Sequence, residues 1–195
     1  MVRISEKQLD EMNGEELGRL FPIIISEHDP MWHALYLSEK TNLEQMIDLN
    51  NIVRINHYGS TSVCHLYAKP TIDILLEIKN DMDTEQVIYL LKGNGYNFSR
   101  QPSNPAPHMM FVKGYTPNGF CGQAYHVHVR YSGDWDELYF RDYLILYPKV
   151  AKTYGELKLQ LKKKYEFDRD GYTSAKSEFI KSSTKQARKE FGKRY

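Results

Sequence analysis

Two cysteines, two tryptophans and a net charge of only +1 leave this 195-residue chain with few of the usual shortcuts to a function. Cys64 and Cys121 stand alone and match no metal-ligand spacing, which excludes a disulfide framework and a cysteine-rich metal centre. They read as reduced thiols, with Cys64 in a loop where it is open to modification. Long apolar runs are also missing. The longest near the start, Phe21 to Ile25, is too short for a signal-peptide core or a membrane span, so a cytoplasmic protein with no membrane partner is expected. No repeat, low-complexity tract or linker divides the chain. The expectation is one domain over residues 1–195, with a helical N-terminal extension at 1–20 and a helical C-terminal part at 134–195.

What is present is an ordinary globular composition, 41% hydrophobic and 26% charged, with its charge unevenly spread. Residues 149–195 carry 14 Lys or Arg against 6 Asp or Glu, and the preceding residues are net acidic. A basic C-terminal third suits a phosphate-bearing partner, although Lys162–Lys164 and the terminal basic set also read as solvated faces of amphipathic helices. Nucleic acid is not expected, because the 15 tyrosines form no basic-aromatic motif.

Periodicity places a short helix over 6–20 interrupted at Gly14, and an extended segment at 21–26. A helix follows, capped by Asp29 and carrying the stripe Trp32, Leu35, Tyr36, Leu43, Met46 and Ile47. Strands are expected at 52–58, 71–78, 96–100, 108–113 and 124–131, with a helix near 84–92 ended by Gly93-Asn94-Gly95. Helices near 134–147, 148–166 and 174–192 complete the chain. The strand at 71–78 alternates Ile72, Ile74, Leu76 and Ile78 against Thr71, Asp73, Leu75 and Glu77. The strand at 124–131 alternates Tyr125, Val127, Val129 and Tyr131 against Ala124, His126, His128 and Arg130. The alternation predicts a sheet covered by helices on its apolar face and open to a cleft on the Asp73, His126 and His128 face.

The most informative stretch is HYGSTSVCHLYAKPTIDI, His57 to Ile74. A Gly-Ser turn leaves one strand, and a lone carboxylate, Asp73, lies in the next. A small residue admits close backbone approach to phosphate, a hydroxyl donates to it, and a carboxylate ligates a hard divalent cation. By itself a Gly-Ser turn is common. However, Gly59-Ser60-Thr61-Ser62-Val63, Leu66 and Lys69-Pro70-Thr71-Ile72-Asp73-Ile74 together resemble the hallmark of the GrpB family. Glu27-His28-Asp29-Pro30-Met31-Trp32, His126-Val127-His128-Val129 and segments of the C-terminal helices resemble further family elements, from about Leu20 nearly to the C-terminus.

That resemblance implies an α+β fold: a nucleotidyltransferase-like mixed sheet, helix-covered on one face, with a helical C-terminal part. It places the chain in the polymerase-beta-like nucleotidyltransferase superfamily without supplying a reaction. The reading it implies is transfer of an NMP group from an NTP, or handling of another phosphorylated small molecule. Catalytic candidates are Asp73, Glu77, His126 and His128, with Asp73 as metal ligand. Gly59, Ser60, Thr61, Lys69, Arg130, Arg141 and Lys176 are the nucleotide-binding candidates, and Mg or Mn is the divalent metal implied, though nothing in the residues requires it.

Two departures keep other readings open. Active members of the superfamily carry a second carboxylate two residues after the first, where this chain has Leu75, and a third where His126 and His128 stand. Glu77 shares the face of Asp73 but lies about 13 Å along the strand. Whether the chain is an enzyme is therefore left open. One alternative is a catalytically degenerate nucleotide- or small-ligand-binding module. Another is a transition-metal enzyme using His126 and His128, since imidazoles suit Zn, Mn, Fe or Ni better than Mg. Within the motif, Cys64-His65 replaces the Pro-Gly common in the family, which relaxes the loop.

Overall fold

A computed structural model of the chain describes residues 7–101, 107 and 109–195. Five strands, β1 (Ile52–His57), β2 (Thr71–Ile78), β3 (Asn97–Arg100), β4 (Met109–Thr116) and β5 (Gly119–Tyr131), form one mixed sheet in the order β1-β2-β5-β4-β3. β2 runs antiparallel to β1 and parallel to β5, with Asp73 opposite His126 and Leu75 opposite His128. β5 and β3 both pair antiparallel with β4. The helices are α1 (Gly14–Leu20), α2 (Met31–Met46), α3 (Thr84–Gly93), α4 (Asp136–Leu146), α5 (Pro148–Tyr165), α6 (Arg169–Ala175) and α7 (Ser177–Phe191).

The apolar alternation decides which face the first helices cover. Ile72, Ile74, Leu76 and Ile78 of β2 and Val127 and Val129 of β5 are sealed beneath Tyr36, Leu43 and Ile47, at and just beyond α2, and Val87 and Leu91 of α3. Fully burying such an aliphatic side chain contributes about 1.5–3 kcal/mol, so this layer is the main source of stability. Asp29 accepts from the Met31 amide at 2.8 Å at the start of α2, and Asp83 accepts from Glu85 at the start of α3. Gly95, at φ 85°, follows α3 in a conformation that favours glycine.

The polar face is less open than the sequence implies. Leu75 and Glu77, which point to it, are both buried. α4 reaches this side of the sheet: its Glu137 pairs with Arg130 of β5 at 2.7 Å, and its Arg141 donates to Asn56 and to the His57 carbonyl of β1, both at 3.2 Å. The accessible part of the face is thereby confined to the Asp73 and His126 end and to β4 and β3 beyond it.

Several boundaries differ from expectation, among them that of β5, which begins at Gly119 rather than at 124. Residues 21–26 make only an isolated bridge, Ser26 to Ala68. The expected helix at 174–192 is α7, which begins at Ser177, and the short α6 that precedes it was not expected. The strand expected over 108–113 (residue 108 lies outside the described residues) continues to Thr116 through an irregularity at Gly114, φ 86°. A Cβ there would overlap the Gln123 carbonyl, so only glycine fits. The bulge turns Tyr115 onto the face of His126, where it joins Phe21, Ala124 and the N-terminal residues Leu9, Leu17 and Leu20.

Candidate functional site

Parallel pairing of β2 with β5 sets Asp73 and His126 side by side. His126 Nδ1 lies 3.2 Å from Asp73 Oδ1, and Tyr115 Oη lies 2.8 Å from His126 Nε2. His128 stands two residues along, in edge-on contact with Tyr58. One ligand atom from each of Asp73, His126 and His128 lies within 4.8 Å of the others, the one such group of metal-ligating side chains among the described residues. Two imidazoles and one carboxylate suit a single transition-metal ion, and the Tyr115 contact would orient the ligating ring.

Electrostatics favour the same assignment. Burial pushes the His128 imidazole down to about 4, against opposition from Asp73, so it is neutral near pH 7 and has a free lone pair. Burial would raise the Asp73 carboxyl. The His126 hydrogen bond and the charges of His126, His128 and Lys69 outweigh that and hold it below the usual carboxylate range. The carboxylate is therefore available at neutral pH.

The motif loop closes over this carboxylate. Gly59 has an ordinary extended backbone, φ −69° and ψ 178°, so conformation does not require glycine there. Space does. A Cβ on Gly59 would overlap Asp73 Oδ2 and sit 2.6 and 2.7 Å from Asp73 Cβ and Cγ. Ser60 opens a single 3-10 turn, and its side chain lowers the pKa of the Tyr154 hydroxyl of α5 against the opposing and larger effect of burial. Thr61 is buried, donating to the Thr71 carbonyl at 3.1 Å and lying 2.8 Å from His57 Nε2, so it ties the loop to the sheet. At His65 the backbone has φ 62°, a left-handed conformation that favours glycine.

The candidate residues separate into two sets. Gly59, Ser60, Asp73, His126 and His128 converge, Thr61 ties their loop to the sheet, and Asp73 favours the charged forms of Lys69 and Lys176 against the lowering effect of burial. Glu77, Arg130 and Arg141 are engaged elsewhere. Glu77 is fully buried in a bidentate pair with Arg54 and accepts from the Gly133 amide at 3.0 Å. Arg130 pairs with Glu137 and stacks 4.6 Å from the Trp135 ring. Arg141 also bonds to Asp142 and Tyr195.

Sequence reasoning missed Tyr115 and Lys158. Gly114 inside an apolar strand was the available signal for the first. Nothing local marks Lys158, which lies on a basic amphipathic helix and is 2% exposed. Beside His126 a cavity of about 1050 Å³ extends over β4 and β3, lined by His126, Tyr115, Val112, Met110 and Phe98 and flanked by α1 and the start of α6.

Comparison with known proteins agrees with the fold and the motif. The family model described as GrpB protein matches residues 22–186. A UPF0157 protein of Pseudomonas aeruginosa is 39% identical over 153 residues, covering 78% of this chain, which spans 62% of that relative. The glutamate-rich protein GrpB of Alkalihalophilus pseudofirmus is 33% identical over 163 residues, covering 81% of this chain and 91% of the relative. The crystal structure of conserved protein GrpB from Enterococcus faecalis superposes with a TM-score of 0.72 at 31% identity, covering 86% of this chain and 99% of that one. A family match across most of the chain and a shared fold at this identity lead to one conclusion: the chain belongs to the GrpB family.

Proposed function

We propose that this chain binds a phosphorylated small molecule, of the nucleoside triphosphate type, together with one divalent transition-metal ion held by Asp73, His126 and His128. The observation that carries this reading is the convergence of those three ligands beneath the Gly59–Ser60 loop. A two-ion magnesium site does not fit the residues present. Ions roughly 4 Å apart need a second nearby carboxylate, whereas Leu75 is apolar and buried, and Glu77 is held by Arg54. A single ion with two imidazole ligands does fit. When bound, such an ion would supply positive charge for a phosphate oxygen. The chain's own residues orient the ligand: Asp73 is pinned under Gly59, His126 is aligned by Tyr115, and Lys69 and Lys176, lowered by burial and opposed in that by Asp73, would gain a charge partner in a bound phosphate.

Nucleotidyl transfer is the second reading. The observation favouring it is the nucleotidyltransferase-like placement of a Gly-Ser loop directly over a strand carboxylate.

Calorimetric titration with Zn²⁺, Mn²⁺ and Co²⁺, followed by thermal shift with the four NTPs, tests both. Binding of one ion per chain that is lost in Asp73→Asn and His126→Ala is expected. An NTP at about 100 times its dissociation constant should then raise the melting temperature by roughly 5–10 °C. Pyrophosphate release with an alcohol or amine acceptor would promote the second reading. Absence of metal binding in the folded wild-type protein would end the first.

A further inference from the structure

Lys158 of α5 is 2% exposed, and its Nζ has no hydrogen-bond partner in the fold. It lies 4.4 Å from the ring centre of Tyr154, one helical turn earlier on the same face, and Ser60 acts on the Tyr154 hydroxyl in opposition to burial. α5 thus runs beside the motif loop, where a Cβ added to Gly155 would lie 3.4 Å from the Tyr67 ring and 3.5 Å from Leu66. Lys176, at the α6–α7 junction, lies 4.8 Å from the ring centre of Tyr172, whose buried hydroxyl also lacks a hydrogen-bond partner. Lys158 and Lys176 act electrostatically on each other, as do Lys69 and Lys176, and all three act on Asp73.

Burial disfavours the charged form of all three amines: it lowers Lys69 to about 8, lowers Lys176, and holds Lys158 well below the usual lysine range, against the opposing pull of Asp73. Burying an unpaired ammonium is costly, because the interior does not replace its hydration. Folds tolerate such a group where a ligand completes its coordination. The donors available, two or three ammonium groups and a tyrosine hydroxyl, match the several acceptor oxygens of a phosphate better than the two of a carboxylate.

We propose that Lys158, with Lys69, Lys176 and the Tyr172 hydroxyl, forms an anion subsite that takes a terminal phosphate or pyrophosphate group of the ligand. This extends the reading given under Proposed function, but it requires no metal. Asp73 belongs to both sides, as one of the metal ligands and as the carboxylate that acts on the three amines, so the two subsites adjoin. The ligand class that spans both is a polyphosphate ester. Lys158 is a binding residue in this scheme, its role being to hold the end of the polyphosphate away from the Asp73, His126 and His128 cluster.

The test uses the full chain in EDTA, with inorganic pyrophosphate as the probe and chloride at matched ionic strength as the control. Wild-type protein is expected to melt roughly 5–10 °C higher at about 100 times the dissociation constant. Lys158→Met, which removes the charge at similar volume, is expected to lose that shift while melting no lower than wild type without ligand. Asp73→Asn should abolish metal binding and keep the pyrophosphate shift, which separates failure of this subsite from failure of the metal reading. Should Lys158→Met not fold, Lys176→Met must weaken pyrophosphate binding about tenfold or more. An undiminished shift in the folded lysine variant, or none in wild type, would overturn the proposal.

Discussion

At Gly59 a missing side chain is filled by another residue's functional group. The carboxyl of Asp73 occupies the space where a Cβ would lie, so loop and strand position one another. Gly59→Ala should therefore act on the site through Asp73 rather than through backbone strain, since φ −69° suits any residue. Overpacking of this kind costs about 1–3 kcal/mol. Moving a ligand or its support typically lowers metal affinity about 10- to 100-fold. The expected outcome is a folded protein with weakened Zn²⁺ or Co²⁺ binding by calorimetry; unchanged affinity would mean that Asp73 does not ligate. His65 makes the complementary point. With φ 62° it occupies a conformation that favours glycine without being glycine, so the loop holds strain at this position.

At the scale of elements, β2 carries two carboxylates on one face with different roles. Asp73 ends up in a recess with its side chain 28% exposed, whereas Glu77 is 0% exposed and bonded to Arg54 and to the Gly133 amide. The strand is the same and the alternation is the same. The difference lies in what covers each end: the motif loop over Asp73, and the β5–α4 connection over Glu77. Breaking a buried ion pair by removing one partner's charge costs about 3–5 kcal/mol. Glu77→Gln should lower unfolding stability by about that much in a urea titration and leave metal stoichiometry unchanged. Loss of metal binding without loss of stability would return Glu77 to the site. α5 and the α6–α7 junction illustrate a related point. Their sequences read as basic solvated helices, yet each delivers one lysine, Lys158 and Lys176, to the region of Asp73.

At the scale of the whole molecule, the buried histidines make stability depend on pH. His57 is buried against Tyr36, with a ring separation of 4.8 Å, and burial pushes its imidazole down to about 4; His128 is likewise at about 4. In the unfolded chain both titrate near 6.5. Between about pH 6.5 and 4 the unfolded state therefore binds more protons than the folded one, and metal-free stability falls as pH is lowered through that window. The His57 contribution alone is on the order of 3 kcal/mol. The Asp73 carboxyl, held low, adds a loss in the same direction at more acidic pH. Denaturant titrations in EDTA at pH 7.5 and 4.5 should show a clear decrease, diminished in a folded His57→Gln variant. A stability that is flat across the window would mean these imidazoles are charged in the fold. No helix among the described residues is long and apolar enough to cross a membrane.

The sequence by itself determined the sheet's main strands, the face that faces α2 and α3, and the motif that joins Gly59 to Asp73. These follow from the period-two alternation of β2 and β5 and from local spacing, which tertiary context did not override. It also determined that Asp73 and His126 share a face, because alternation assigns faces strand by strand. It did not determine that they are neighbours. That required β5 to pair parallel with β2 in one register, which long-range topology selects and no local pattern encodes. Tyr115 reaches His126 only because a bulge at Gly114 turns it onto that face, although the glycine was visible as a signal. Lys158 was legible only as one of many basic residues on an amphipathic helix. Its burial depends on where α5 docks against the motif loop, a matter of packing between segments some ninety residues apart, and packing alone separates a buried ammonium from a solvated one.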